Sequence, residues 1–215
     1  MNLIDYGRII LRRGWIMILL AILTATSAYL ISRQLTPVYR STQLVLIQPS
    51  RTDLGLTEAL IRLMQSYRVY LGSTDRAKEV IDTLDLDMSP GDLLAAATFN
   101  ADRDRLTMQI DIDLTDGELA NDIAREWGNL LVQYRNRENQ TVRQEDRITA
   151  LPIDTPQYSL QSPNVQINTI AGGLIGFGLG AILVFVLEYL ESAIVRRRDD
   201  VERSLGLPVL STIPE

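Results

Sequence analysis

Two stretches without a charged residue decide the architecture of this chain: Trp15–Ile31, WIMILLAILTATSAYLI, and Ile170–Leu187, IAGGLIGFGLGAILVFVL. A bilayer core takes about 20 helical residues, so both stretches are long enough to cross a membrane. Two spans predict a hairpin, with both termini on one side and the intervening residues on the other. The predicted segments are an N-terminus (1–14), a first transmembrane helix (15–32), an outer domain (33–150), a connector (151–168), a second transmembrane helix (169–190) and a tail (191–215).

Basic residues beside the spans indicate the side that each part occupies. Arg12 and Arg13 precede the first span, and Arg196–Arg198 follow the second. No basic residue lies between Ile148 and the second span. Because short basic flanks stay cytoplasmic, we expect both termini in the cytoplasm and the outer domain outside it. A cleaved signal peptide is the alternative for the first stretch, but its apolar run is long for one and no convincing A-x-A site follows Ile31.

Composition argues against several kinds of chemistry. The chain contains no cysteine and no histidine, which removes disulfides, thiolate sites and the commonest general base and metal ligand. Its net charge of −6 disfavours a nucleic-acid binder. The single lysine, Lys78, follows no glycine-rich loop, so a P-loop nucleotide site is excluded. We therefore predict no catalytic, metal or cofactor site, and no enzyme.

The outer domain carries the periodicities of both strands and helices. The clearest strand is Leu106–Leu114, where apolar and polar residues alternate and Asp111 and Asp113 are interpreted as the solvated side. Two further strands are predicted, at Val38–Gln48 and Arg147–Ile153. The predicted helices are one through Leu56–Leu71, a second helix capped by Thr74 or Asp75, and a long helix that begins at Asp116. A turn is predicted at Met88–Gly91, before a short apolar segment. The charged end of that last helix, 135–147, is expected to project into solvent. The order β, α, α, β, α, β predicts an α+β domain: a small sheet with helices on one face.

Three prolines precede the second span: Pro152, Pro156 and Pro163. Each proline fixes its own φ and restricts the preceding residue, which predicts a stiff, extended connector. This connector is either a plain linker or a strut that holds the outer domain at a set height over the membrane.

Within the second span, Gly172, Gly176 and Gly180 recur every fourth residue and share one helix face. Small residues at this spacing let transmembrane helices approach closely. We predict packing against the first span or against another copy of the chain; glycine use without specific packing is the alternative. Glu188, at the inner edge, is interpreted as an interfacial residue, since no partner residue supports a proton relay.

The tail after the second span is short and patterned. Its arginine triplet is interpreted as a topology signal and a contact for lipid headgroups. An apolar, extended segment on so short a tail cannot form its own core, so it is expected to dock on a partner surface. The candidate docking residues are Arg196, Arg197, Arg198, Leu205, Gly206, Leu207, Pro208, Val209, Ile213 and Pro214.

Several motifs occur together from one end of the chain to the other. They are Ile4-Asp5-Tyr6, Leu11-Arg12-Arg13 with Trp15, Thr36-Pro37-x-Tyr39, the proline segment, the glycine-rich span, and Asp200-Val201-Glu202-x-x-Leu205-Gly206-Leu207-Pro208-Val209-Leu210-x-x-Ile213-Pro214. In this combination the chain resembles the Wzz-type chain-length determinants, the polysaccharide co-polymerases. It is most similar to the short members that act as transmembrane adaptors of bacterial tyrosine kinases in capsule and exopolysaccharide synthesis.

The resemblance implies a non-catalytic protein of the bacterial inner (plasma) membrane that assembles as a homo-oligomeric ring of about eight chains. Such proteins regulate the chain length of capsular polysaccharide, exopolysaccharide or O-antigen by influencing the polymerase. The resemblance also implies a separate cytoplasmic tyrosine kinase docked on Leu205–Pro214. Two features depart from the family: the long projecting helix of larger members is absent or reduced to roughly Leu119–Glu145, and the fused kinase domain of some relatives is missing. The missing kinase is also compatible with a stand-alone regulator or with a truncated gene product.

A two-span receptor, or a scaffold in an envelope complex, is the alternative class. Its outer domain would bind a small ligand or an envelope partner. The main aromatic pair of this domain, Tyr67 and Tyr70, has helical spacing, which is more typical of a core than of a binding site. A ring-forming assembly would favour the co-polymerase over the receptor.

Overall fold

The computed structural model describes residues 3–51 and 54–192. The chain forms two compact units. The helix unit comprises Met1–Leu35 and Asn164–Glu215, and the sheet unit comprises Thr36–Pro163. Both units contribute to an α+β chain in which an antiparallel sheet is inserted in sequence between two long apolar helices.

The helix unit is a pair of long helices, α1 (Leu3–Gln34) and α6 (Val165–Ser192). Within them, Arg12–Gln34 and Val165–Glu191 are long and apolar enough to cross a membrane. Large apolar side chains on both helices are exposed, among them Ile18, Leu19, Ile22, Leu23, Leu30, Ile167, Ile170, Leu174, Ile175, Leu179, Ile182 and Leu190. Continuous apolar surface of this kind is typical of helices that face lipid.

The sheet unit is built on five antiparallel strands. These are β1 (Val38–Pro49), β2 (Ala97–Asp102), β3 (Thr107–Leu114), β4 (Ile148–Pro152) and β5 (Gln157–Ser162). The strand order is β2-β3-β1-β4, and β5 also pairs with β1. Strands β4 and β5 pair with the same edge of β1: β4 pairs with residues 45–49 and β5 with residues 38–42.

Four helices lie on one side of this sheet. They are α2 (Leu54–Leu71), α3 (Thr74–Leu84), α4 (Pro90–Ala96) and α5 (Gly117–Glu138), and a short 3-10 turn follows at Gln144–Asp146. Helices α2, α4 and α5 contact the sheet, and α3 packs on these three helices. The core lies between helices and sheet because alternate strand residues point to the same side. Its fully buried side chains include Ile47, Leu60, Met64, Leu71, Leu93, Met108, Ile110, Ile112, Ile123, Trp127 and Leu130.

Helix α5 begins with a side-chain cap. The carboxylate of Asp116 accepts hydrogen bonds from the backbone N–H groups of Glu118, at 3.0 Å, and Leu119, at 3.2 Å. These donors have no partner inside the helix, so Asp116 satisfies them. The predicted start of this helix is confirmed.

Replacing this cap is expected to weaken the sheet unit. We expect Asp116→Ala to lower its free energy of unfolding by about 1 kcal/mol. The measurement is urea unfolding followed by the fluorescence of Trp127 in a Trp15→Phe background. Asp122→Ala is the matched control, because the exposed pair of Asp122 with Arg125 is expected to contribute between about 0 and 1 kcal/mol. Equal losses from both variants would contradict a specific role for the cap.

Three sequence predictions need correction in this unit. The turn and apolar segment after residue 88 form helix α4 and strand β2, because Ser89 caps a helix that begins with Pro90. The cap of α3 is Ser73, one residue before the predicted candidates. The predicted connector, residues 151–168, is not a free linker: residues 151–152 end β4, residues 157–162 form strand β5 on the sheet, and residues 165–168 already belong to α6.

Polar groups expected in solvent are buried in two places. Asp111 is 4 % exposed, and it accepts hydrogen bonds from the hydroxyl of Thr42 and the amide of Gln109. In the charged segment 135–147, the side chains of Arg135 and Asn139 are buried against β4. Both side chains donate to the carbonyl oxygen of Ile148, so this end of α5 returns to the sheet instead of projecting.

Candidate functional site

The outer glycines of the α6 triplet lie against α1. A Cβ built on Gly172 would lie 2.6 Å from the Cβ of Ala28, and one built on Gly180 would lie 2.7 Å from the Cα of Met17. Real Cβ atoms do not approach so closely, so the helices reach this separation only because both positions lack a side chain. Later residues of α6 meet earlier residues of α1, so the helices are antiparallel.

The central glycine makes the closest approach. A Cβ built on Gly176 would collide with the Oγ1 atom of Thr24 and lie 2.7 Å from the carbonyl oxygen of Leu20. Thr24 donates its hydroxyl to that same carbonyl at 2.8 Å. A Cβ on Gly178, by contrast, would have nothing within 4 Å. The helix pair therefore depends on one face of α6, and the partner of that face in this structure is α1 of the same chain.

Polar contacts join the two helices near each end. The amide of Asn168 donates to the hydroxyl of Ser32 at 2.9 Å. At the opposite end, the guanidinium of Arg13 contacts Glu188, with 3.7 Å between Nε and Oε2, and forms an ion pair with Glu191. Glu188 thus has a basic partner, which the sequence did not indicate. An ion pair at a helix end is consistent with an interfacial position.

The three prolines before α6 have different surroundings. Pro152 is the exposed last residue of β4, and Pro156 is buried between β4 and β5. Pro163 follows β5 and is partly buried, after a cis peptide bond from Ser162. Pro156 therefore lies in the break between two strands that share one edge of β1, where the amide of Gln43 donates to the carbonyl oxygen of Asp154 at 2.9 Å.

The sheet face opposite the helices carries a polar ladder. Arg40 donates through Nε and Nη2 to the two carboxylate oxygens of Asp113, at 2.7 and 2.6 Å. This hydrogen bonding raises the pKa of Arg40, against the opposing effect of burial. Thr42 donates to Asp111 at 2.6 Å, two register positions further along on the same face. Cross-strand pairs of this kind stabilise the β1–β3 register.

The tyrosines singled out in α2 belong to the core, as predicted. Tyr67 is 2 % exposed and its ring meets that of Tyr134 edge-on, with 6.2 Å between centroids. Tyr70 stacks on Tyr134 at 4.3 Å. The same rings border a cleft between α2 and α5, which the sequence did not indicate because the walls come from distant segments. Within the described part of the chain, no three acidic side chains are grouped as a metal site.

The candidate docking residues, Arg196–Arg198 and Leu205–Pro214, lie outside the described residues. Their roles remain predictions from sequence.

The chain thus combines an antiparallel pair of apolar helices with an α+β unit inserted between them in sequence. The model of the Wzz family, described as chain length determinant protein, matches residues 1–84. The matched part includes α1, β1, α2 and α3. The resemblance to the Wzz-type chain-length determinants is confirmed by this match and by the relatives described next.

Three relatives illustrate the similarity. The capsular polysaccharide biosynthesis protein CpsC of Streptococcus pneumoniae is 26 % identical over 223 residues, which cover 99 % of this chain and 94 % of the relative. The protein of the same name from Streptococcus agalactiae serotype Ia is 25 % identical over 84 % of this chain and 78 % of its own. The probable capsular polysaccharide biosynthesis protein YwqC of Bacillus subtilis is 24 % identical over 92 % and 81 %.

Proposed function

We propose that this chain is a non-catalytic regulator of chain length in the biosynthesis and export of a capsular polysaccharide or exopolysaccharide. The observation that carries the proposal is the nearly end-to-end similarity to CpsC of Streptococcus pneumoniae, over 99 % of this chain and 94 % of that one. Similarity over both apolar helices and the sheet unit supports a shared architecture, where a match to one span would not. The match of the chain length determinant model to residues 1–84 supports the same process.

The proposed arrangement is a hairpin in the bacterial inner membrane. Residues 15–32 and 169–190 span it, residues 33–168 lie outside the cytoplasm, and residues 1–14 and 191–215 lie inside. The exposed apolar side chains of both helices support two spans. The antiparallel pairing supports termini on one side, and the arginines that flank the spans favour the cytoplasm for them.

The proposed partners are other copies of the chain, the polysaccharide polymerase and a separate cytoplasmic tyrosine kinase. Copies would form a ring of about eight chains, as the family resemblance implies. The kinase would dock on Leu205–Pro214 and be activated there, with Arg196–Arg198 holding this segment at a fixed distance from the lipid headgroups. The mostly apolar sequence of this segment supports this role, because a segment predicted to be extended can add a strand to a sheet or fill a groove of a partner.

Deletion of the gene is expected to shift or broaden the size distribution of the surface or secreted polysaccharide. The measurement is gel electrophoresis or size-exclusion chromatography of the polymer from the deletion strain, complemented with wild type or with a chain lacking residues 205–214. We expect wild type to restore the distribution and the tail deletion not to restore it. The amount of each chain in the membrane, read by immunoblotting, controls for expression.

Two results would contradict the proposal. An unchanged distribution and amount of polymer after gene deletion would remove chain-length control and favour a receptor or a scaffold. Full restoration by the chain without residues 205–214 would leave chain-length control in place but remove the role of the tail.

A further inference from the structure

Strand β5 is exposed along its whole length and carries no charge. All six of its residues, Gln157–Ser162, are exposed, with Tyr158 at 43 % and Leu160 at 58 %. The sequence holds no charged residue between Asp154 and Glu188, so one uncharged stretch includes β5 and most of α6. Exposed edge strands in water are commonly protected by charged side chains. Because β5 lacks them and carries two large side chains, its surface fits an environment other than bulk water.

The two large side chains of β5 form one surface with a tyrosine of β1. Tyr158 and Leu160 lie two positions apart in a strand and therefore point to the same side. Leu160 pairs with Tyr39, and the rings of Tyr39 and Tyr158 meet edge-on with 5.5 Å between centroids. The ring of Tyr158 also lies against Gly117, where a Cβ would be 2.4 Å from its Cδ2 atom. The fold thus holds this ring from two sides, and we call Tyr39, Tyr158 and Leu160 the β5 patch.

The chain ties the β5 patch to the ends of both apolar helices. Two residues separate the end of β5 from Val165, the first residue of α6. An extended chain covers at most about 3.6 Å per residue, so the Cα atoms of Ser162 and Val165 lie within about 11 Å of each other. Tyr39 follows Gln34, the last residue of α1, by five positions, which limits their separation to about 18 Å. Both limits follow from covalent structure alone.

These limits keep the β5 patch near the bilayer when both helices cross it. The two apolar segments that are long enough to cross, Arg12–Gln34 and Val165–Glu191, end and begin at the residues that tie the patch. A bilayer has a hydrocarbon core of about 30 Å and a total thickness of about 40–45 Å, so each polar interface is about 5–8 Å thick. A strand that ends within about 11 Å of a span therefore has this interface within reach.

The composition of the β5 patch fits this interface better than it fits a charged partner. Tyrosine is enriched where membranes meet water, because its ring is apolar and its hydroxyl is polar. Leu160 adds aliphatic surface, and the serine and glutamine side chains of β5 can form hydrogen bonds with lipid headgroups without carrying a charge. An acidic polymer or a strongly charged protein would need complementary charges, which β5 does not carry.

We propose that the β5 patch rests on the outer leaflet of the membrane, with Leu160 at the boundary of the acyl chains and both tyrosines among the headgroups. The inference rests on the proposed membrane hairpin and adds a lipid contact that the sheet unit makes, besides those of the two helices. Lipid covers the surface that the fold leaves open on β5. Residues 157–162 are then a membrane-contacting strand and not a spacer between the sheet and α6.

Fluorescence quenching by lipids tests this contact in the full-length chain. The chain has no cysteine, so a single cysteine introduced at an exposed position accepts one nitrobenzoxadiazole fluorophore. The labelled chains are placed in phosphatidylcholine liposomes, with or without a doxyl quencher near the headgroup end of the acyl chain. We expect the label at Leu160→Cys to emit at a shorter wavelength than in water and to lose most of its intensity in the doxyl liposomes.

Three matched positions complete the test. Ser159→Cys labels the next residue of β5, which points to the opposite side of the strand, and we expect much weaker quenching there. Arg103→Cys labels the exposed β2–β3 turn, at the far end of the β1–β3 ladder from Tyr39, and no quenching is expected. Leu174→Cys labels a side chain of α6 that is 69 % exposed, and strong quenching is expected because α6 crosses the bilayer in the proposed hairpin. Equal thermal unfolding of the labelled and unlabelled chains controls for the fold.

The pattern of quenching separates this inference from the hairpin on which it rests. Quenching at Leu174 without quenching at Leu160 would overturn the inference and leave the hairpin intact. Equal quenching at Leu160 and Ser159 would also overturn it, because the patch would then not be the side that faces lipid. Short-wavelength emission at Leu160 without quenching would assign the patch to a protein partner, such as a second copy of the chain. Absence of quenching at Leu174 would contradict the hairpin itself.

Discussion

Substituting isoleucine for Gly176 is expected to separate α6 from α1. The first atom of the new side chain would collide with Thr24 Oγ1 and lie 2.7 Å from the carbonyl oxygen of Leu20. A backbone oxygen cannot be moved away by changing a rotamer, so the helices themselves must move apart. Overpacking typically destabilises by about 1–3 kcal/mol, and contacts between membrane helices are individually weak. A clash at the closest point is therefore enough to abolish this packing.

A disulfide can report the helix pairing directly. The chain has no cysteine, so an introduced pair reacts without background. A Cβ built on Gly173 lies 3.6 Å from the Cβ of Ala25, within the range of about 3.5–4.5 Å that disulfides require. We expect the chain with Ala25→Cys and Gly173→Cys to oxidise in membranes to an intramolecular disulfide. Adding Gly176→Ile is expected to abolish most of this product.

The control is Gly178→Ile in the same cysteine background. Nothing lies within 4 Å of a Cβ at Gly178, so its isoleucine adds the same bulk without a contact to α1. We expect cross-linking to persist in this variant. Persistent cross-linking in Gly176→Ile as well would show that the glycine face does not govern the pairing.

A non-reducing gel, run after free thiols are labelled with a maleimide–polyethylene glycol, separates the two partners that the sequence left open for the glycine face. A product at the mass of one chain that carries no label holds both cysteines in an intramolecular disulfide, which means that α6 packs on α1 of its own chain. A product at twice that mass means that α6 packs on another copy, and it would contradict the pairing in this structure. The glycine spacing could not decide this point, because a smooth helix face accepts a helix from either source.

Periodicity predicted the elements whose side chains alternate between core and solvent. Strands β1 and β3 and the helices α2, α3 and α5 were predicted because their apolar residues recur at the period of the element. The start of α5 was also predictable, because Asp116 carries its capping group in its own side chain. In these places local sequence and tertiary packing point to the same structure.

Strand β5 was not predicted, although Tyr158 and Leu160 alternate with polar residues. All six of its residues are exposed, so the alternation marks no buried face. The strand pairs through its backbone with residues 38–42 of β1, and the ring of Tyr158 contacts that of Tyr39. Prolines on both sides suggested a linker, but Pro156 and Pro163 flank the strand and do not interrupt its ladder.

The buried polar residues, and the cleft beside them, depend on long-range contacts. Arg135 and Asn139 belong to a run that is charged and polar in sequence, and only the return of the chain at Ile148 gives them a common partner. The spacing of Tyr67 and Tyr70 correctly indicated a core, but their contacts with the ring of Tyr134 are visible only when all neighbours are placed. Such features require tertiary structure, since hydrogen-bond satisfaction is a property of the whole fold.

Truncating Trp127 is expected to have the largest effect on the stability of the sheet unit. The indole is fully buried, meets the ring of Phe99 edge-on with 5.2 Å between centroids, and donates through Nε1 to the carbonyl oxygen of Leu71 at 3.2 Å. We expect Trp127→Ala to lower the free energy of unfolding by about 3–5 kcal/mol, because it leaves a cavity and an unpaired carbonyl. The total free energy of unfolding of a folded domain is only about 5–15 kcal/mol, so the substitution would remove much of the stability of the sheet unit.

Hydrogen exchange of β3 peptides in the full-length chain measures this loss without a tryptophan reporter. We expect slow exchange in wild type and exchange faster by about two to four orders of magnitude in Trp127→Ala, because core strands open only by global unfolding. Trp127→Phe separates the two causes: it keeps most of the ring volume and loses the hydrogen bond to Leu71, so a reduction of about 1–2 kcal/mol is expected. Trp15→Ala is the control, since Trp15 is 63 % exposed on α1 and belongs to the helix unit. If β3 stays protected in Trp127→Ala, then the indole does not anchor α5 to the end of α2, and the core must derive its stability from the aliphatic contacts of the sheet.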